Sequence, residues 1–186
     1  MGERNWPDEA LNDEITIEEI GKTIKKMKNE KASGPDGFTY EMLKNNIQEV
    51  TLVLATLFNS IQNATKKPIP WNQSWIVPVY KNGNRDCLSS YRCINLASCI
   101  EKLLTKVLNN RLTRWIENHG IMNAQQTGFR KGNSVIDNIL LLKEVIQIYK
   151  NTKTPLYIAF VDLSKAFDTI PINRLKKKLS AILPPK

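Results

Sequence analysis

At 186 residues the chain is long enough to bury one sizeable core, and 41% hydrophobic with 24% charged residues is ordinary for a globular domain. No run approaches the ~18 consecutive apolar residues of a membrane span, and the acidic start lacks the basic-then-apolar order of a secretory signal, so an intracellular protein is expected, with no membrane partner. Residues 1–20 hold seven acids against the single Arg4, a local −6, which leaves +15 on the other 166 residues (26 basic, 11 acidic).

A body this basic suits a polyanionic partner, because neutralising phosphates releases counterions; a solvated basic surface with no partner is the plainer alternative. Residues 1–14 read as a flexible acidic leader. Thr16 then opens a capping box with Glu19, and Ile17, Ile20, Ile24 and Met27 share a face, which predicts a helix over 17–30. Pro35-Asp36-Gly37 has the chemistry of a tight turn. A short helix at Thr39–Asn45 and a longer one at Ile47–Ala64 follow, the latter with Val50, Leu54, Leu57, Phe58 and Ile61 on one face.

Lys66-Lys-Pro-Ile-Pro70 breaks that helix. Trp75–Tyr80 reads as a strand that Pro78 restricts to an edge or bulge. Asn82-Gly83 signals a turn, and Tyr91–Leu96 is a return strand, giving a hairpin. A long amphipathic helix carries Ile100 through Ile116 and ends near Gly120. After a glycine-rich loop at Gln125–Gly132, Asn133 or Ser134 caps a helix bearing Val135, Ile139, Leu142, Val145, Ile146 and Tyr149. Leu156–Asp162 is a short apolar run consistent with a buried strand, and a last helix spans Ile172–Ile182 before Pro184-Pro185. The mixed order gives an α+β class.

Cys87, Cys93 and Cys99 are spaced by six and contain no C-x-x-C pair, so three reduced thiols are expected in preference to a zinc site with His119. The sharpest chemical segment is Phe160-Val-Asp-Leu-Ser-Lys-Ala-Phe-Asp-Thr-Ile170. An aspartate at the end of a buried strand is rigid and meets solvent, but magnesium is usually held by one or two carboxylates together with substrate phosphates, so Asp162 alone supplies part of a site. Caps and turns also use aspartate freely, and Asp168 ahead of Pro171 fits that plainer role.

This segment resembles motif A of the reverse transcriptases of non-LTR retrotransposons and group II introns. Three other blocks resemble the same family in the same order: Lys31-Ala-Ser-Gly-Pro-Asp-Gly-Phe38; Trp75–Lys81 followed by Ser90-Tyr-Arg-Cys-Ile-Asn-Leu96; and Gln126-Thr-Gly-Phe-Arg-Lys-Gly132 with Ser134 and Asp137. Each block alone is weak, and four in order are not. The resemblance implies the helix-rich fingers (15–154) and partial palm (155–186) of a right-hand polymerase with an incomplete sheet.

It also implies roles. Asp162 matches the first metal-binding aspartate, with the Leu163 carbonyl as a further ligand, and Phe167 the aromatic that excludes ribonucleotides. Lys81 and Arg92 match cations that grip the incoming triphosphate. Gly128, Phe129 and Arg130 match a block close to template and nucleotide. Plainer readings stay open for several: Phe167 as core, Lys81 as a solvated turn lysine, Arg92 paired with Asp86, and Lys176–Lys178 as an exposed helix face.

Cys93 stands where the family usually has proline. The family's Tyr/Phe-x-Asp-Asp motif is absent, since no Asp-Asp pair occurs in the chain. Two-Mg²⁺ catalysis needs carboxylates on both sides of the ion pair. The expectation is therefore a polymerase fragment, inactive alone, that handles an RNA template, an RNA–DNA hybrid or DNA primer, and a dNTP. A non-catalytic basic nucleic-acid-binding module is the alternative.

Overall fold

The computed structural model describes residues 11–163, 166–167 and 169–183. These divide into two compact units, one through Trp115 and one from Ile116 onward.

The first unit is built around α1 (Ile17–Lys26), α2 (Tyr40–Asn45), α3 (Ile47–Ala64) and most of α4 (Cys99–Asn118). Thr16 and Glu19 close the expected capping box, which satisfies two of the orphan N–H groups at the start of α1. The helix stops at Lys26, short of the predicted Glu30, because Met27 turns extended and its carbonyl accepts from Lys44 Nζ at 2.6 Å. Thr39 caps α2, and Ser98 Oγ accepts from Ile100 N and Glu101 N at the start of α4.

Ile20, Ile24, Phe58 and Leu103 are completely buried, with Ile15, Leu54, Val107 and Trp115 close to it. Each such side chain contributes roughly 1.5–3 kcal/mol by leaving water. Arg111 is 6% exposed and ties this core together. It donates to both carboxylate oxygens of Glu19 (2.9 and 2.7 Å) and to the carbonyls of Asp13 (2.6 Å) and Glu14 (2.8 Å). Residues 13 and 14 of the acidic leader are thus fastened to α4, while residues 1–10 lie outside the described residues.

The predicted hairpin forms with the predicted bounds: β1 (Trp75–Tyr80) pairs antiparallel with β2 (Tyr91–Leu96), Tyr80 opposite Tyr91 and Trp75 opposite Leu96. Pro78 is tolerated because both strands of a two-stranded sheet are edges. The expected turn at Pro35-Asp36-Gly37 is also present, closed by Gly37 N–H to the Gly34 carbonyl at 3.1 Å.

In the second unit α5 (Val135–Thr152) starts on Ser134, which forms a capping box with Asp137, and α6 (Ile172–Ile182) has the predicted bounds. No residue of either helix is buried. The expected buried strand at Leu156–Asp162 does not form; the segment takes neither helix nor strand, and Tyr157, Phe160 and Val161 are 82–90% exposed. A strand is defined by its neighbour's hydrogen bonds, and the described residues of this unit contain no other strand for it to pair with.

Candidate functional site

Lys81 and Arg92 lie on the hairpin of the first unit. Arg92 sits opposite Val79, and the ladder continues one step past β1 through Lys81 N–H to the Ser90 carbonyl at 2.8 Å. Side chains alternate along a strand and opposite residues share a face, so Lys81 falls on the face of Val79 and Arg92, diagonal to the arginine. Among the described residues neither cation is in a salt bridge, and the Arg92–Asp86 pair does not form. Two positive side chains are left free on one face.

The other face of the hairpin fixes the loop between the strands. Tyr80 and Tyr91 meet edge to face with centroids 5.6 Å apart. The Tyr80 hydroxyl donates to the Gly83 carbonyl (2.7 Å), the Tyr91 hydroxyl to the Arg85 carbonyl (2.9 Å), and the Arg85 guanidinium lies 5.2 Å from the Tyr80 ring centre. These contacts hold the loop at both ends and in the middle, so the free cations project from a braced element.

Gly128, Phe129, Arg130, Asp162, Leu163 and Phe167 belong to the second unit. Phe129 is 96% and Phe167 80% exposed, which removes the core reading of Phe167. Their rings nevertheless meet edge to face, centroids 6.2 Å apart and planes at 87°. The structure therefore brings the glycine-rich block and the motif A segment together through two aromatics. Phe129 has φ +62°, a conformation that a bulky residue adopts only when its surroundings enforce it.

The neighbouring Arg130 is anchored. Its Nε and Nη2 make a fork with Glu117 Oε1 (3.0 Å) and Oε2 (2.6 Å), and its Nη1 reaches the Asn123 carbonyl at 3.2 Å. The fork holds the Glu117 carboxyl below the ordinary glutamate range. Asn138 Nδ2 to Thr127 Oγ1 (2.7 Å) fastens the same loop to α5. A Cβ at Gly128 would meet nothing within 4 Å, so packing inside the protein does not require glycine there.

Asp162 is exposed and followed directly by Leu163. Together they offer one carboxylate and one carbonyl. Among the described residues no group of three or more Asp, Glu, His or Cys side chains is placed to hold a metal ion. These groups fit one edge of a magnesium site and not a two-ion centre. Asp168 lies outside the described residues. Cys87 and Cys93 are exposed and Cys99 is buried.

Two features escaped the sequence. Glu117 is thirteen positions from Arg130, and no local spacing marks it as the partner. Gly34 approaches the β2–α4 junction so closely that a Cβ would lie 2.6 Å from the Ala97 carbonyl carbon and oxygen and 2.7 Å from Ser98 N. The local pattern reports a turn there, whereas the requirement for glycine comes from the distant backbone it touches.

The hairpin presents two free cations, and the motif A segment touches the Gly-Phe-Arg loop; comparison with known proteins gives the class. Residues 79–186 match the family described as reverse transcriptase (RNA-dependent DNA polymerase), and the chain belongs to that family. It is 30% identical over 172 residues to a probable RNA-directed DNA polymerase from transposon BS of Drosophila melanogaster, covering 91% of this chain and 19% of that protein. Similar polymerases come from transposon X-element of Drosophila melanogaster (28% over 167 residues, 89% and 18%) and mobile element jockey of Drosophila funebris (25% over 175 residues, 94% and 19%). These relatives are polymerases of non-LTR retrotransposons, and the chain spans about a fifth of their length. No helix among the described residues is long and apolar enough to cross a membrane.

Proposed function

We propose that the chain is the fingers and first palm element of a non-LTR retrotransposon reverse transcriptase, the part that holds template and incoming deoxynucleotide for templated deoxynucleotidyl transfer. The observation that carries this reading is the pair of unpartnered cations, Lys81 and Arg92, on one face of a braced hairpin. An ammonium and a guanidinium so placed suit a triphosphate, the first as a point charge and the second as a fork. Open space at Gly128 suits close approach of a template or nucleotide from outside the protein. Phe167, exposed and steadied by Phe129, suits contact with the sugar.

Asp162 and the Leu163 carbonyl would ligate Mg²⁺, which in the family draws the primer hydroxyl and α-phosphate together. Further carboxylates must complete that centre, so nucleotidyl transfer is assigned to the larger polymerase and binding to this region. The lack, among the described residues, of a group of metal-ligating side chains around Asp162 favours a second reading, a non-catalytic module that holds RNA or an RNA–DNA hybrid on its basic surface.

The test uses a polymerase polypeptide that continues through the Tyr/Phe-x-Asp-Asp motif. Asp162→Asn should abolish primer extension while leaving hybrid binding nearly intact, and Arg92→Ala should raise the nucleotide requirement more than it weakens template binding. Near-normal extension by Asp162→Asn would overturn the catalytic assignment. Processive synthesis by the 186-residue chain alone would overturn the division of labour.

A further inference from the structure

The first unit contains a cavity of about 720 Å³, open to solvent, that the hairpin and motif A segment do not account for. It is lined by Trp71, Lys67, Lys102, Lys106, Asn95 and Asn109, with Glu101 at its side and the buried Tyr40 below. Lys102, Lys106 and Asn109 recur at helical spacing along one face of α4, beside the stripe of Leu103, Val107 and Arg111 that faces the core. Lys67 is committed: its Nζ lies 3.2 Å from Glu101 Oε1 and 3.2 Å from the Trp71 carbonyl. That pair neutralises the only carboxylate of the lining. Among the described residues Lys102 and Lys106 have no acidic partner.

We infer that this cavity is a subsite for single-stranded RNA, in which Lys102 and Lys106 take successive phosphates while a base lies against Trp71 and is read by the Asn95 and Asn109 amides. The inference rests on the polymerase reading for its RNA partner and places that partner at residues the family resemblance does not name. A net charge of +2 on the lining calls for an anion. A half-buried indole calls for a flat ring, and side-chain amides call for a base edge. A single nucleotide would leave much of the opening unfilled, whereas a strand passing through uses an open cleft along its length. Duplex does not present an unstacked base to the indole.

Fluorescence anisotropy of the full chain with labelled oligouridylate, across a salt titration, tests this. Lys102→Ala with Lys106→Ala should weaken binding about tenfold and flatten the log–log salt slope by about 1.4, the share of two phosphates on a single strand. Trp71→Ala should weaken it by roughly tenfold or more with the slope unchanged, and Trp71→Phe should restore most of the loss. Because Trp71 also packs against the core, each variant's urea midpoint is measured, and the lysine pair keeps the inference testable if Trp71→Ala fails to fold.

Lys25→Ala with Lys150→Ala, exposed lysines elsewhere, should move affinity far less. Unchanged affinity and slope in the Lys102/Lys106 variant would sink the cleft while leaving the hairpin reading intact, since that reading is judged by the nucleotide requirement of Arg92→Ala. Uridine monophosphate displacing the oligomer at similar concentration would make this a free-nucleotide site, and equal loss on duplex would make it a general phosphate patch; either overturns the inference. If the wild-type chain binds no strand at low salt, the cleft and the binding role both fall, whereas extension by the longer polymerase is judged separately through Asp162→Asn.

Discussion

Replacing Arg111 by Met should destabilise the first unit by about 3 kcal/mol, near the low end for breaking a buried ion pair. The guanidinium is 6% exposed and makes four hydrogen bonds, two to the Glu19 carboxylate and two to the carbonyls of Asp13 and Glu14. Met retains the apolar stem, so the loss isolates the charged head. Charged bonds contribute roughly 1.5–3 kcal/mol and neutral ones about 1 kcal/mol; the sum overshoots because Glu19, 29% exposed, regains water once released. For a domain stable by 5–15 kcal/mol this is a large share.

Urea unfolding followed through the buried Trp115, on the same helix, should show the midpoint falling by roughly 1–2 M with little change in slope. A loss below about 1 kcal/mol would refute the argument that the leader and α1 are locked to α4 by this residue. The Arg111 hydrogen bonds hold the Glu19 carboxyl below its ordinary 4.5, ahead of an opposing effect of burial. A lowered folded pKa gives stability that is fully present above 4.5 and disappears as pH falls through the lowered value. The stability gap between wild type and Glu19→Gln should therefore narrow on acidification below 4.5 and stay constant from pH 5 to 7.

Gly34→Ala should cost roughly 1–3 kcal/mol, because its Cβ would press into the Ala97–Ser98 backbone and no flexible side chain is there to yield; thermal unfolding measures it, and a neutral substitution would show that the loop moves freely. Burial lifts the Cys99 thiol to about 11, with Asp36 adding to the shift, so a maleimide at pH 8 should modify the exposed Cys87 and Cys93 quickly and Cys99 only on unfolding. Glu117→Gln should release the Arg130 fork and loosen the loop around it; faster proteolysis at Gln125–Gly132 with an unchanged urea midpoint is expected, and equal cleavage rates would show that the fork does not hold the loop.

Local rules carried most of the secondary structure. The Thr16–Glu19 and Ser134–Asp137 boxes, the Lys66–Pro70 break and the Asn82-Gly83 turn are each decided within four or five residues, and α3, β1, β2 and α6 keep their predicted bounds. What failed depended on distant partners. α1 ends where the Met27 carbonyl accepts from Lys44, seventeen residues away, and the strand expected at Leu156–Asp162 needed a neighbour that the described residues of its unit do not offer. The site divides the same way: motif residues were legible as chemistry, while Glu117 as the clamp on Arg130 and the cavity under Trp71 exist only once α4 has folded.

In the second unit a motif is recognisable although the strand expected to carry it does not form. The stripe of Val135, Ile139, Leu142, Val145 and Ile146 on α5 has the spacing of a face meant for burial, yet no α5 residue is buried, and Tyr157, Phe160 and Val161 stand in solvent beside Asp162. Apolar area of this size is costly in water, and among the described residues of this unit no strand pairs with the segment that carries Asp162. The Phe129–Phe167 contact, in contrast, is present in this unit, next to the Arg130–Glu117 fork. The loop beside Phe167 thus has side-chain anchors of its own, whereas Asp162 sits in a segment with neither helix nor strand. The Asp162→Asn and Arg92→Ala variants separate the proposed catalytic and nucleotide-gripping roles.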